Sequence, residues 1–121
     1  AMNSDHFKAS LSDAAPPAGL SAALLALWWQ RKGDWEKAHE AAQSDESLYA
    51  AWVHALLHRE EGDLSNAGYW YRRAKRDVCS DPLETEWEAI LSALALDASR
   101  SRVISGPVRV ADLDPEFIDT A

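Results

Sequence analysis

Cysteine is almost absent: Cys79 stands alone in 121 residues. One thiol cannot form an internal disulfide or by itself close a zinc site, so the chain is expected to hold together by packing in a reducing compartment, the cytoplasm. Long apolar runs are missing too. The longest, "LSAALLALWW", stops at "QRKGD" after about half of the roughly 18–20 residues that a membrane span needs. "MNSDHFKAS" lacks the charged start and apolar stretch of a secretory leader, and Ala1 ahead of Met2 reads as an expression scar. Basic residues are outnumbered, twelve against twenty acidic, and the net charge of −8 repels phosphate backbones, which argues against nucleic acid as a partner. No glycine-rich phosphate loop, dinucleotide fingerprint or nucleophile elbow occurs. Cys79 lies close to Asp77 and Asp81, whose like charge disfavours a reactive thiolate. No catalytic residue and no cofactor are expected from these features.

What is present in excess is tryptophan, six in one short chain, and rings of that size must be largely covered. The length fits a single domain able to bury roughly two thirds of the surface its unfolded form exposes. Glycine followed by aspartate occurs at Gly33-Asp34 and at Gly62-Asp63, each between helical segments. Glycine accepts the left-handed conformation that ends one helix, and the aspartate oxygen can cap the next. Ala38 and Ala67 each follow five residues after their glycine, so the unit repeats at 62 − 33 = 29 residues. The pattern predicts an all-α fold of two helical hairpins. A helix from about Ala18 to Lys32, started by Pro17, pairs with Trp35 to Ser44, and Ser47 to Glu61 pairs with Leu64 to Asp77. The third segment, "LYAAWVHALL", is apolar on nearly every face and is expected to lie centrally. A last helix, opened by Asp81 and Pro82, carries one stripe of Leu83, Trp87, Ile90, Leu91 and Leu94 and should cover the array. Residues 1–17 read as an N-terminal segment with a turn or two of helix around Phe7 and Leu11, residues 18–99 as the helical domain, and 100–121 as a loosely structured tail.

Alanine at small positions, glycine-aspartate at the hinge and alanine five residues on resemble the tetratricopeptide-repeat family. Ala51, Ala55, His58, "EGDL", Ala67, Tyr71 and Ala74 follow its pattern most closely, and Ala26, Trp29, "KGDW" and Ala38 follow it in the first unit. The resemblance spans residues 19–77, with a period of 29 against the family's 34. The string "AWVHALLHREEGDLSNAGYWYRR", with "WEAI" after it, is also similar to a set of short bacterial and fungal proteins that carries no assigned activity. The repeat resemblance implies a protein-interaction module. Its inner face would fall on Leu20, Ala23, Leu27, Gln30 and Arg31, then on Tyr49, Trp52, Leu56, Arg59 and Glu60. Family members that grip a peptide's terminal carboxylate place lysine, arginine and asparagine there, whereas this chain has leucine and tryptophan. The surface expected to meet a protein or peptide partner, or a second copy in a homodimer, is therefore apolar: Trp28, Tyr49, Trp52, Leu56 and Arg59.

Two further constellations carry other chemistry. His54 and His58 are four apart and project from one helix face, as metal ligands do, with His39, Glu61 or Asp63 as a third ligand. Such a trio is the basis of an alternative reading, a small metal- or ligand-dependent enzyme. Otherwise the two imidazoles hydrogen-bond in a tight seam with Tyr69, Tyr71 or Asn66. Arg72, Arg73 and Arg76 form a basic corner, read either as an anion-binding site or as helix-end charges that stack on Tyr69 and meet Glu84, Glu86 or Glu88.

Overall fold

Both glycine-aspartate pairs reverse the chain in the same way, and the architecture follows from that. The computed structural model describes the backbone of residues 4–103 and the side chains of residues 4–96. It contains α1 (Ser4–Ser10), α2 (Ala22–Lys32), α3 (Trp35–Gln43), α4 (Leu48–Glu60), α5 (Leu64–Arg73) and α6 (Leu83–Val103), with no strand among the described residues. At the first hinge Gly33 sits at φ 89°, its N–H bonded to the Gln30 carbonyl, while the Asp34 N–H reaches back to Trp29 at 2.9 Å. The Asp34 carboxylate then accepts the Lys37 N–H at 3.1 Å. The second hinge repeats every bond 29 residues on. Gly62 is at φ 86°, its N–H is bonded to Arg59, the Asp63 N–H reaches His58 at 2.9 Å, and the Asp63 side chain accepts from Asn66 at 3.1 Å.

Two helix boundaries differ from expectation. α2 begins at Ala22, not near Ala18, because the chain turns at Gly19, φ 83°, and the Ser21 hydroxyl caps the helix by accepting the Leu24 N–H. α5 ends at Arg73 and does not run on to Asp77, because Lys75 takes the left-handed conformation that glycine takes at the other hinges, φ 61°, and the Arg76 N–H closes back on Tyr71.

α2 packs on α3 and α4 on α5, and α4 also touches α2, α3 and α6. Its residues Ala50 to His58 are buried without a break, as a helix apolar all round requires. Alanines at 26, 38, 42, 51, 55 and 67 let the helices approach closely, and the large residues Trp28, Leu27, Leu56, Tyr71 and Trp87 fill the spaces between. α6 lays Trp87, Ile90 and Leu91 across α2 and α4.

The N-terminal segment belongs to this core. Phe7 is fully buried and lies 6.1 Å from Trp87, ring to ring. Ser10 accepts the Trp28 indole N–H at 3.0 Å, and Lys32 donates to the carbonyls of Leu11 and Asp13. A domain boundary at residue 18 therefore cuts through the packing. The boundary at 99 falls within α6, which continues to Val103. Residues 1–3 and 104–121, which carry the expected scar and nearly all of the expected tail, lie outside the described residues. No described helix is long and apolar enough to cross a membrane.

At both hinge glycines an added Cβ would meet nothing within 4 Å, so a substitution there costs backbone strain alone. Gly33→Ala and Gly62→Ala should each lower unfolding stability by about 1–2 kcal/mol, by similar amounts, in urea titrations. A cost confined to one hinge would show that the two reversals are not equivalent.

Candidate functional site

The residues expected to meet a partner are covered within the chain: α6 meets Trp52 and Arg59 through Glu86, and Trp28 is held by Ser10 of α1. Trp28 and Leu56 are 0 % exposed and Trp52 is 5 % exposed, so the tryptophan-lined surface expected from sequence is core and is not open to solvent. Tyr49 is half-buried and stacks on Trp52. Trp87 of α6 donates its indole N–H to the Leu27 carbonyl at 3.1 Å, and the Arg31 guanidinium lies 3.7 Å over its ring. Beside it is Glu86, a carboxylate only 2 % exposed. A charge that deep is tolerable only when every lone pair has a donor. Glu86 accepts the Trp52 indole N–H at 2.9 Å, the Tyr71 hydroxyl at 2.6 Å and the Arg59 guanidinium at 2.5 Å. Arg59 donates its other arm to the Asp81 carbonyl. Burial opposes the Arg59 charge, but the bond to Glu86, the Glu86 charge and Tyr71 together outweigh this and hold its pKa above the usual value. The Tyr71 hydroxyl is pushed upward by burial and then by the adjacent Glu86 anion. Arg76 stacks 3.5 Å from the Trp52 ring, and both line an open cleft of about 540 Å³ with Lys75, Cys79 and Asp81.

On the far side of α4, in the seam with α3 and α5, the histidines gather. His54 and His58 are one turn apart on α4, and α3 brings in His39. The Nε2 atoms of His54 and His39 are 3.0 Å apart, and each of the three rings offers a nitrogen within 4.8 Å of the other two. Trp35 stacks on His39 at 4.8 Å and Trp70 on His54 at 3.8 Å, each within 10° of parallel. Trp35 is itself held by its indole bond to the Leu57 carbonyl. His58 bonds through Nδ1 to Glu61 at 2.5 Å. Of the third ligands considered from sequence, His39 joins both histidines, whereas Glu61 and Asp63 group only with His58.

The hydrogen-bond partners expected for this pair are engaged elsewhere. Tyr71 serves Glu86, Tyr69 accepts from Arg73, and Asn66 bonds Asp63. The reason is the helical turn of α5. Trp70 takes the position over His54, and the next residue points roughly 100° away, toward α6. His54 is 2 % exposed and its Nδ1 has no partner. Burial first, then the nearby His39, His58 and Arg73 charges, push its pKa down to about 3. His39 is lowered by burial and by His58, with Glu61 and Glu36 pulling the other way.

The arginines do not converge on one anion position, which corrects the expectation of a basic corner. Arg73 lies over Trp70 and bonds Tyr69, Arg76 lies over Trp52, and Arg72 lines a separate shallow hollow with Asp63, Ser65, Asn66 and Tyr69. Their expected acidic partners are taken: Glu84 by Arg31, Glu86 by Arg59 and Glu88 by Lys8. Trp70 went unrecognised from sequence and Glu86 was assigned to the wrong arginines, because a glutamate on an acidic helix and a tryptophan among aromatics carry no local mark of what they touch. No protein-family model, curated protein or solved structure matches this chain.

Removing the Glu86 carboxylate takes away the buried partner of the part-buried Arg59 guanidinium. Glu86→Ala should cost about 3–5 kcal/mol in chemical denaturation, and adding Arg59→Met should recover much of that loss. Equal losses in the single and double variants would mean that the pairing is not what Glu86 supplies.

Acid should weaken the seam. His54 stays neutral in the fold, while the unfolded chain takes up a proton near pH 6.5. Stability is therefore intact above that pH and lost as pH falls from about 6.5 toward 3. Facing His54 are His39 from α3, His58 from α4 and Arg73 from α5, while Glu36 and Glu61 act on His39. Between pH 6.5 and 5 the unfolding free energy should fall by up to about 1.4 kcal/mol per pH unit for each histidine held neutral, with a shallower slope in His54→Leu. A flat profile in the parent chain would contradict this.

Proposed function

We propose that the chain is a small protein-interaction module of the tetratricopeptide type, working in the cytoplasm, whose inner face receives an amphipathic helix. The observation that carries this is the seating of α6. It presents an acid, an aromatic and two aliphatics, Glu86, Trp87, Ile90 and Leu91, to the face formed by α2 and α4, the helix-in-groove mode of peptide recognition. Recognition rests on the part-buried Arg59 and the buried Tyr71 as donors for the acid and on the Leu27 carbonyl for the indole. In the isolated chain α6 is the occupant. The partner this chemistry fits is a protein helix repeating that acid-aromatic-aliphatic pattern, able to compete where α6 lifts. The matched hinges support the repeat reading, because the same hydrogen bonds recur 29 residues apart at Gly33 and Gly62.

A peptide of residues 83–96 tests this against the full chain carrying Trp87→Leu, which weakens its own α6. The peptide should raise the melting temperature of that variant by several degrees, and a version with alanine in place of its tryptophan should not. If Trp87→Leu stays helical yet melts at the same temperature with saturating peptide, the groove does not accept a helix in trans and the reading fails.

A further inference from the structure

We infer that His39, His54 and His58 form a binding site for one divalent transition-metal ion, held through three imidazole nitrogens. The site faces away from α6. His54 follows Trp52 by two residues, roughly 200° around the helix, so it stands or falls apart from the helix-binding reading.

Two nitrogens on a tetrahedral zinc, each about 2.0–2.1 Å from the metal, lie about 3.3 Å apart. The Nε2 atoms of His39 and His54 are already 3.0 Å apart, and the third imidazole has a nitrogen within 4.8 Å of both. Small rotations of side chains on α3 and α4, which pack against each other, would complete the cage. Ligand histidines usually give their other N–H to a carboxylate, which fixes the tautomer and aims the lone pair. His58 has that arrangement: Nδ1 faces Glu61 at 2.5 Å, leaving Nε2 for an ion. Trp35 and Trp70 clamp the other two rings by parallel stacking, which limits their freedom to turn away.

In the empty cluster the facing Nε2 atoms of His39 and His54 must share one proton. When an ion binds, that proton passes to Nδ1 of its own ring and all three lone pairs turn to the metal. The shared proton stays on its own imidazole throughout, so this step releases no proton. The lowered pKa values of His39 and His54 keep these lone pairs available at neutral pH. An all-imidazole set favours zinc, cobalt, nickel or copper over magnesium or calcium, and three protein ligands leave a fourth position for water. His39, the part-exposed member, provides the way in.

The test uses the full, tag-free chain stripped with chelator and titrated at neutral pH with Zn²⁺, then with Co²⁺. The inference expects one equivalent of Zn²⁺ bound and the intense visible bands of tetrahedral Co²⁺. His39→Ala should abolish both. Glu61→Gln, at the exposed end of α4, should weaken Zn²⁺ binding about 10–100-fold while leaving the circular dichroism and metal-free melting temperature near those of the parent. Zn²⁺ affinity equal in the parent and His39→Ala would overturn the site, as would a Co²⁺ spectrum matching the hydrated ion.

Discussion

α4 is enclosed by four other helices, and an enclosed helix cannot hand its polar atoms to water. It nevertheless carries buried nitrogens on Trp52, His54 and His58 and a part-buried guanidinium on Arg59, and of these Nδ1 of His54 finds no partner. An unpaired buried donor costs on the order of 1–3 kcal/mol and a buried charge more, so the neighbouring helices are constrained in what they can place against α4. Glu86 on α6 answers Trp52 and Arg59, while His39 on α3 meets Nε2 of His54 and Trp70 on α5 stacks on its ring. The order of the helices follows from tight glycine hinges, and their identity at each contact follows from this demand.

The two sides of α4 meet the demand differently. Toward α6 it is met by charge: one anion gathers a guanidinium, a phenol and an indole, and its charge raises the pKa of both Arg59 and Tyr71. Toward α3 and α5 it is met by neutral rings stacked face to face, with no anion deep enough to support a second proton on His54. One side is thus a lock that seats a helix. The other is a cluster of imidazole nitrogens in which burial lowers the pKa of His39 and His54.

How much of this could be read from sequence depended on range. The hinges were legible because their chemistry is local: glycine, aspartate and the residue three positions on are all that the turn needs. The centrality of α4 was legible because a run such as "LYAAWVHALL" leaves no wetted face. The covering role of α6 followed from its single apolar stripe. Partners far along the chain were not legible. Glu86 lies 27 residues from Arg59 and 34 from Trp52, and on its own helix it is one acid among Glu84, Glu86 and Glu88. His39 was one of several possible third ligands for the histidine pair, and only the depth of the α3–α4 seam singles it out. Trp28, Trp52 and Leu56 were read as a presented surface because groove positions and core positions share one composition when a covering helix fills the groove. The ends of α2 and α5 were misplaced because Ser21 and Lys75 do work that Pro17 and a glycine seemed better suited to do.

The claim beneath all of this is that α4 is the enclosed centre, released only when the whole chain unfolds. Residue-resolved hydrogen exchange of the native protein measures it most directly. The amides from Val53 to Leu57 should be the slowest in the chain and should open with the free energy of global unfolding, together with the indole N–H of Trp52. Exchange of α4 amides through a cheaper local opening, faster than those of α2 or α5, would contradict the account.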